Sequence, residues 1–254
     1  MISPLRSAVR FAPALAMIFL CTSNIWAFEN SPAAKSANMI TYTAPGGESY
    51  FAMGLQVEKQ QAPAVPHDHV ILLDTSASQN GEFRQRSLDV LRAMTQAMPA
   101  GDRVCLFAVD VKQKRYTPEF IPASGPEMEN ALQRLAIRTP LGATNMEDAV
   151  RTGMEAISGD RPASIIYIGD GMSIADLIGT ESMRSLLGEM REQRVAMHSF
   201  AIGPKTDLQL LGVIAQHSGG VVLIDEPARA EKSESYPQHI GESLAIAADA
   251  PVYY

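Results

Sequence analysis

The sequence predicts an α/β protein: a doubly wound, mostly parallel sheet with helices on both faces and one short antiparallel edge strand. Two observations support this prediction. Short apolar runs such as residues 70–73 and 163–168 are typical of strands buried on both faces. Longer segments with apolar residues at helical spacing separate these runs. Strands that alternate with helices of this length indicate βαβ units, and therefore a parallel sheet.

The predicted elements follow in order from residue 68. The predicted strands lie at about 69–74, 103–109, 113–117, 163–168, 195–201 and 221–225. The predicted helices lie at about 82–98, 126–137, 146–157, 180–194, 206–217 and 238–248. Pro126 suits the first position of a helix, and Asn145 suits an N-cap. Lys112, Lys114 and Arg115 surround the strand at 113–117, and such charges are expected of an edge strand.

The first 27 residues are predicted to be a signal peptide. Arg6 and Arg10 precede the apolar run 11–21, and a polar stretch then leads to a cleavage position near Ala27. The run is short for a bilayer span, so an N-terminal membrane anchor is the alternative rather than the first choice. We therefore expect an exported protein that is periplasmic, secreted or part of the cell envelope.

Two further segments lie on either side of the predicted main domain. Residues 28–66 are predicted to be a linker with a short edge strand. Residues 28 to about 45 are polar and small, with Pro32 and Pro45 and then Gly46 and Gly47, whereas 51–57 alternates like a half-buried strand. After the main domain, 67–226, residues 227–254 are predicted to form a loop, a helix and the start of a possible further strand. That last strand could pair with the strand at 50–57, or the chain could be a fragment of a longer protein.

Composition narrows the range of functions. The chain has 254 residues and is 46% hydrophobic, which is enough for one full-sized core. Its net charge is −7, and it has no basic stripe, so nucleic acid is excluded as the main partner. Only Cys105 remains after cleavage of the signal peptide, so an intramolecular disulfide is excluded and a buried thiol is expected.

Three oxygen-rich segments predict a cation site. Asp74, Ser76 and Ser78 follow the first strand of the alternating pattern, Thr144 precedes a helix, and Asp170 follows the strand at 163–168. In an open parallel sheet, adjacent strand ends border one crevice at the topological switch point. Hard oxygen ligands without sulfur or imidazole favour Mg²⁺, Mn²⁺ or Ca²⁺.

This pattern resembles the von Willebrand factor type A (vWA) domain, a Rossmann-like fold, and its metal-ion-dependent adhesion site (MIDAS). The family motif is Asp-x-Ser-x-Ser after the first strand, a Thr in a middle loop and an Asp after the fourth strand. All five positions are matched, by Asp74, Ser76, Ser78, Thr144 and Asp170. The resemblance covers about residues 66–226 and is greatest to exported bacterial members.

Two positions depart from the family pattern. Ala77 stands where the family often has Gly, which is a mild change if the backbone there is not left-handed. The segment 79–81 replaces the commoner Met-containing continuation. Neither change removes an oxygen ligand.

The resemblance also implies a function. Ser76, Ser78 and Thr144 would bind the metal directly, Asp74 and Asp170 would act mainly through water, and a partner protein would supply a Glu or Asp as the remaining ligand. The expected protein is a divalent-cation-dependent adhesion or scaffold module and not an enzyme. The alternatives are a metal-dependent hydrolase and a structural part of a larger envelope protein.

Other polar residues have simpler interpretations. Ser76 and Ser78 could serve only to cap the following helix. His67 and His69 raise the question of a zinc site, but neither Cys nor a third His lies near them in sequence, so structural or surface roles are expected. Asp110 is expected to be an ordinary loop acid.

Overall fold

The computed structural model describes residues 37–55, 65–159 and 161–250. The chain divides into two compact units, Met1–Ala62 and Pro63–Tyr254, which are described separately. The predicted signal peptide and the predicted strand start at 252–254 lie outside the described residues.

The smaller unit contains an antiparallel hairpin of β1 (Ala37–Thr43) and β2 (Ser49–Leu55). The prediction of a linker is therefore wrong for residues 37–43, where β-branched and aromatic side chains form a strand. Pro45, Gly46 and Gly47, which suggested a linker, form the turn of the hairpin, in which Gly47 has a φ of 86°.

The predicted strand at 51–57 is confirmed over residues 51–55, but its surroundings differ from the prediction. It pairs with β1 in a two-stranded sheet of its own instead of joining the edge of the large sheet. Its side chains are also not half-buried, because Phe51 is 71% exposed and Met53 is 53% exposed. Alternation of apolar and polar residues shows that a strand forms, but it does not identify what that strand pairs with.

The larger unit is built on a sheet of seven strands. Its five parallel strands are β3 (Asp68–Asp74), β4 (Arg103–Val109), β7 (Ala163–Gly169), β8 (Ala196–Ala201) and β9 (Val222–Ile224). Two short strands, β5 (Lys114–Arg115) and β6 (Ile121–Pro122), pair antiparallel with β4. The strand order is β5-β4-β3-β7-β8-β9, which confirms the predicted short antiparallel edge strand.

Helices cover both faces of this sheet. They are α1 (Gly81–Ala97), α2 (Pro126–Ala136), α3 (Met146–Ala156), α4 (Thr180–Glu192), α5 (Leu208–Ser218), α6 (Pro227–Ala230) and α7 (Tyr236–Ala248). All six predicted helices are present, and the four-residue α6 is the one helix among the described residues that was not predicted. None of the described helices combines the length and the apolar character required to cross a bilayer.

Side-chain alternation along the strands produces two cores. Ile71 and Leu73 of β3 pack in the core beneath α1, α2 and α7. Val70 and Leu72 point to the opposite face and pack beneath α3, α4 and α5. All four are fully buried, so β3 forms the centre of the unit, as its continuous apolar run predicts.

The topology places a crevice at one end of β3. The chain passes from β3 to β4 on one side and returns to β7 on the other side. The order of the strands therefore reverses around β3, and the carboxyl ends of β3 and β7 form the topological switch point, where open α/β sheets bind ligands.

Candidate functional site

All five predicted site residues meet at the carboxyl edge of the sheet. Asp74 is the last residue of β3, Ser76 and Ser78 lie in the turn that follows, Thr144 precedes α3, and Asp170 directly follows β7. Asp74, Thr144 and Asp170 are each at most 1% exposed, and Ser78 is the most accessible of the five.

Hydrogen bonds connect the five side chains. The Thr144 hydroxyl lies 3.0 Å from both carboxylate oxygens of Asp74, to which it donates. The Ser78 hydroxyl donates to Oδ2 of Asp170 at 2.5 Å, and its oxygen lies 2.9 Å from that of Ser76. Side chains from three separated loops thus direct their oxygen atoms towards one small region.

Backbone contacts hold the first two loops together. The Ser76 N–H donates to Oδ1 of Asp74 at 2.8 Å, which fixes the turn after β3. The Ala77 N–H donates to the Gly142 carbonyl at 3.0 Å, and the Leu141 N–H donates to the Thr75 carbonyl at 2.9 Å. Among the described residues, Arg194 is the one non-glycine residue with a positive φ, so Ala77 is not left-handed and its replacement of Gly costs little.

Two glycines allow the third loop to approach closely. A Cβ added to Gly169 would lie 2.3 Å from the Asp74 Cβ, and one added to Gly203 would lie 2.7 Å from the Asp170 Cβ. Both distances are shorter than van der Waals contact. Side chains at these two positions would therefore displace the carboxylates from the arrangement described above.

Tyr167 of β7 also belongs to the site, and the sequence analysis missed it. Its fully buried hydroxyl donates to Oδ2 of Asp74 at 2.7 Å and accepts from the Gly171 N–H at 3.1 Å. Burial and the negative charges of Asp74 and Asp170 raise the pKa of Tyr167 well above its usual value, so the phenol keeps its proton. The available signal was a tyrosine near the carboxyl end of a largely apolar strand, three residues before Asp170.

The electrostatics of the site fit a divalent cation. Burial, and then repulsion from Asp170, raise the pKa of Asp74 to about 6. Within the described parts of the chain, neither Asp74 nor Asp170 forms a salt bridge with Lys, Arg or His. Two buried carboxylates without a cation, together with three hydroxyls, are the hard oxygen donors that Mg²⁺ and Mn²⁺ prefer.

Asp110 has a structural role beside this site. It was expected to be a loop acid, but it is only 7% exposed, and its Oδ2 accepts hydrogen bonds from Arg138 at 2.5 Å and from Thr75 at 3.1 Å. Arg138 also donates to the Thr75 hydroxyl at 3.1 Å. Asp110 is therefore neutralised by Arg138 and fixes the loop next to the candidate ligands.

The fold and the site together define a doubly wound α/β domain with an oxygen-rich switch point. Residues 68–224 match the family model described as the von Willebrand factor type A domain. The match covers more than half of the chain, and the chain belongs to this family. Domains of this family commonly mediate protein–protein interactions, mainly as adhesion or interaction modules.

Relatives and solved structures agree with this assignment. The chain is 21% identical over 197 residues to the human inter-alpha-trypsin inhibitor heavy chain H4, a match that covers 72% of the chain and 21% of that protein. The chain therefore spans about a fifth of the length of this curated relative.

Two solved structures share the fold at low identity. A von Willebrand factor type A protein from Catenulispora acidiphila matches with a TM-score of 0.61 at 14% identity, over 78% of this chain and 44% of the other. An aerotolerance-related membrane protein from Bacteroides fragilis matches with a TM-score of 0.54 at 10% identity, over 71% of this chain and 97% of the other.

Proposed function

We propose that this protein is a divalent-cation-dependent protein-binding module whose bound cation takes a Glu or Asp of a partner protein as a further ligand. The observation that carries this proposal is the convergence of Asp74, Ser76, Ser78, Thr144 and Asp170, whose two carboxylates are buried without a cationic partner among the described residues. Mg²⁺ is the first choice of ion, with Mn²⁺ or Ca²⁺ as alternatives.

The family resemblance implies which residues would contact the cation directly. Ser76, Ser78 and Thr144 would hold the cation directly, and Asp74 and Asp170 would act mainly through water. Because hydroxyls are neutral, the cation would keep much of its attraction for a carboxylate of the partner. Tyr167 and Thr144 would keep Asp74 in position by donating hydrogen bonds to its carboxylate.

A basic groove beside the site supports an acidic partner. The groove has a volume of about 760 Å³ and includes Leu141 and Gly142, from the loop that carries Thr144. Four cationic residues and one acid line it, for a net charge of +3 on a chain of −7: Lys112, Lys114, Arg134, Arg138 and Asp110. Leu141 is 72% exposed there, so an acidic segment with apolar neighbours suits both the cation and the groove.

The other candidate functions have less support. Among the described residues, the polar contacts of the Asp74 and Asp170 side chains are hydroxyls and backbone N–H groups, without the His or Lys that hydrolytic chemistry commonly uses as a general base or acid. We therefore favour a non-enzymatic role over a hydrolase. Export through a signal peptide at residues 1–27 is part of the proposal, and it rests on the sequence pattern alone.

The test begins with metal binding to the purified protein. Titration calorimetry with Mg²⁺ and Mn²⁺ should give one site in the wild type, and Asp74→Ala and Thr144→Ala should each lose it. Ser185→Ala is the matched control, because Ser185 is an exposed helical residue outside the site. A folded wild type that binds neither ion would contradict the proposal.

Partner binding is then measured with and without chelator. Acidic peptides should bind in the presence of Mg²⁺, and this binding should be lost in EDTA. Lys112→Glu should weaken peptide binding without changing the affinity for the metal. Equal binding in both buffers, together with a melting temperature that falls on chelation, would instead favour the alternative in which the ion only stabilises part of a larger envelope protein.

A further inference from the structure

A second group of possible metal ligands lies at the opposite, amino-terminal edge of the same sheet. His67, Asp102 and Asp249 each present one ligand atom, and these atoms all lie within 4.8 Å of one another. His67 precedes β3, Asp102 precedes β4, and Asp249 is the C-cap of α7. The sequence analysis could not detect this group, because its members meet only through the fold.

His67 has a ring nitrogen that is available for a ligand. Its Nδ1 is buried and makes no hydrogen bond of acceptable geometry within the described chain, although Oδ1 of Asp249 lies 2.8 Å away. The two atoms are therefore held close together without a well-formed hydrogen bond. An ion between them and Asp102 would use the lone pair of Nδ1 and the charge of Asp249.

Asp102 is held in place by hydrogen bonds to both of its oxygens. It is 3% exposed, its Oδ1 accepts from the His67 N–H at 2.9 Å, and its Oδ2 lies 3.2 Å from Nε2 of His69. Nδ1 of the fully buried His69 in turn lies 2.9 Å from the Ser164 hydroxyl. Each carboxylate oxygen keeps a second lone pair, so Asp102 can still bind an ion. Ligating carboxylates in metal sites are commonly hydrogen-bonded in this way.

A cavity lies beside His67. This cavity has a volume of about 570 Å³ and is lined by His67, by Ser164, and by Ala248 and Ala250, the two residues that flank Asp249. Arg161 and Arg194 also line it, so its walls favour water or a small anion. Three protein ligands and one open position are the arrangement of an accessible zinc site.

We propose that His67, Asp102 and Asp249 form a zinc-type binding site that is separate from the oxygen site at the other end of the sheet. An imidazole nitrogen with two carboxylates favours Zn²⁺ or Co²⁺, whereas the all-oxygen site favours Mg²⁺. Two carboxylates also balance the charge of a divalent ion. The seven residues of β3 separate the two sites by about 20 Å, at the usual rise per strand residue.

The test is a titration of the full chain with Zn²⁺ in saturating Mg²⁺, which occupies the oxygen site. One Zn²⁺ should bind, and His67→Ala and Asp249→Asn should each weaken it by at least about 100-fold. His69→Gln should weaken it by about 10- to 100-fold, the usual effect of losing a hydrogen-bond partner of a ligand. Asp74→Ala should leave Zn²⁺ binding unchanged, which separates this result from any failure of the proposed function.

Two controls keep the test specific. Glu242→Gln removes a charge from an exposed position of the same helix, α7, and His217→Ala removes an exposed histidine elsewhere; both should bind Zn²⁺ as the wild type does. Replacing Zn²⁺ with Co²⁺ should produce visible absorption bands that disappear in His67→Ala. Circular dichroism and thermal unfolding establish that each variant is folded.

Three outcomes would overturn the proposal. The first is a folded wild type that does not bind Zn²⁺. The second is equal Zn²⁺ affinity in the wild type, His67→Ala and Asp249→Asn. The third is a signal that His217→Ala abolishes and His67→Ala preserves, which would indicate adventitious binding at the surface.

Discussion

Each end of the central sheet buries one aspartate, and the pKa values of the two aspartates are shifted in opposite directions. Asp74, at the carboxyl edge, is fully buried, and its pKa is raised to about 6 by burial and by Asp170. Asp102, at the amino edge, is 3% exposed. Burial alone would raise its pKa, but hydrogen bonds from His69 and from the His67 N–H outweigh that effect, and the pKa of Asp102 is lowered.

The difference shows how the neighbours of a buried carboxylate set its charge in the metal-free protein. Asp102 has an imidazole and a backbone N–H as partners, so its ionised form is stable in the protein as it stands. Asp74 has hydroxyls and a second carboxylate as neighbours, so its ionised form lacks a compensating charge. Both side chains are almost inaccessible to solvent, but Asp74 lies deeper in the protein, so a larger desolvation cost and the different neighbouring groups together distinguish the two sites.

Gly169→Ala should have the largest effect, because it disrupts the carboxyl end alone. The new Cβ would lie 2.3 Å from the Asp74 Cβ and 2.5 Å from the Tyr167 hydroxyl, both in packed surroundings. We expect the free energy of unfolding to fall by about 3 kcal/mol, at the upper end of overpacking costs. Urea unfolding measures this change. Gly188→Ala, in α4 with nothing within 4 Å of the new Cβ, is the control and should stabilise by about 0.5–1 kcal/mol.

Asp74→Asn should stabilise the metal-free protein while abolishing Mg²⁺ binding. A pKa raised from 3.8 to about 6 means that the folded state binds the proton more tightly than the unfolded state does. The contribution of Asp74 to stability is therefore fully present below pH 3.8 and is lost as the pH rises through about 6. At pH 7.5 in EDTA we expect the free energy of unfolding of Asp74→Asn to exceed that of the wild type by on the order of 2 kcal/mol. This figure already subtracts the cost of the hydrogen bonds that the amide loses.

Urea unfolding across this pH range provides the check. The stability difference between Asp74→Asn and the wild type should grow between pH 4 and pH 6 and then level off. A variant that is less stable than the wild type at pH 7.5 in EDTA would show that Asp74 is already compensated without an ion.

Asp102→Asn should lower the free energy of unfolding, which is opposite in sign to the effect of Asp74→Asn. Its effect should be the smallest of the three substitutions. One oxygen remains to accept from the His67 N–H or from His69, but the amide group replaces the other acceptor and the charge is lost. We expect a loss of about 1 kcal/mol at pH 7.5, by the same unfolding measurement in EDTA. A gain in stability would remove the contrast between the two ends of the sheet.

The local sequence pattern was sufficient to predict most of the fold and the positions of the five candidate ligands. Asp74 ends one apolar strand, Asp170 directly follows another, and Thr144 precedes an N-cap. Their positions on the sheet edge therefore follow from short segments that can be interpreted one at a time. The side chain of Asn145 accepts from the Asp148 N–H at 3.2 Å, which confirms the predicted start of that helix.

The features that were missed depend on partners that are distant in sequence. Tyr167 resembles any other residue of an apolar strand until the β3–β7 pairing brings its hydroxyl to Asp74. The nearness of Asp249 to His67 likewise requires the last helix to pack beside the start of β3. The hairpin was missed for a different reason, since Pro and Gly occur both in linkers and in tight turns.

The placement of Tyr167 also gives the protein an intrinsic optical reporter. The chain has one tryptophan, Trp26, and it lies within the predicted signal peptide, so the near-ultraviolet spectrum of the processed protein would come from tyrosine and phenylalanine. One of those tyrosines donates its phenolic proton to Asp74 from a fully buried position. An ion that interacts with the Asp74 carboxylate would change that hydrogen bond. Tyrosine difference spectroscopy can therefore follow ion binding at this site without a label.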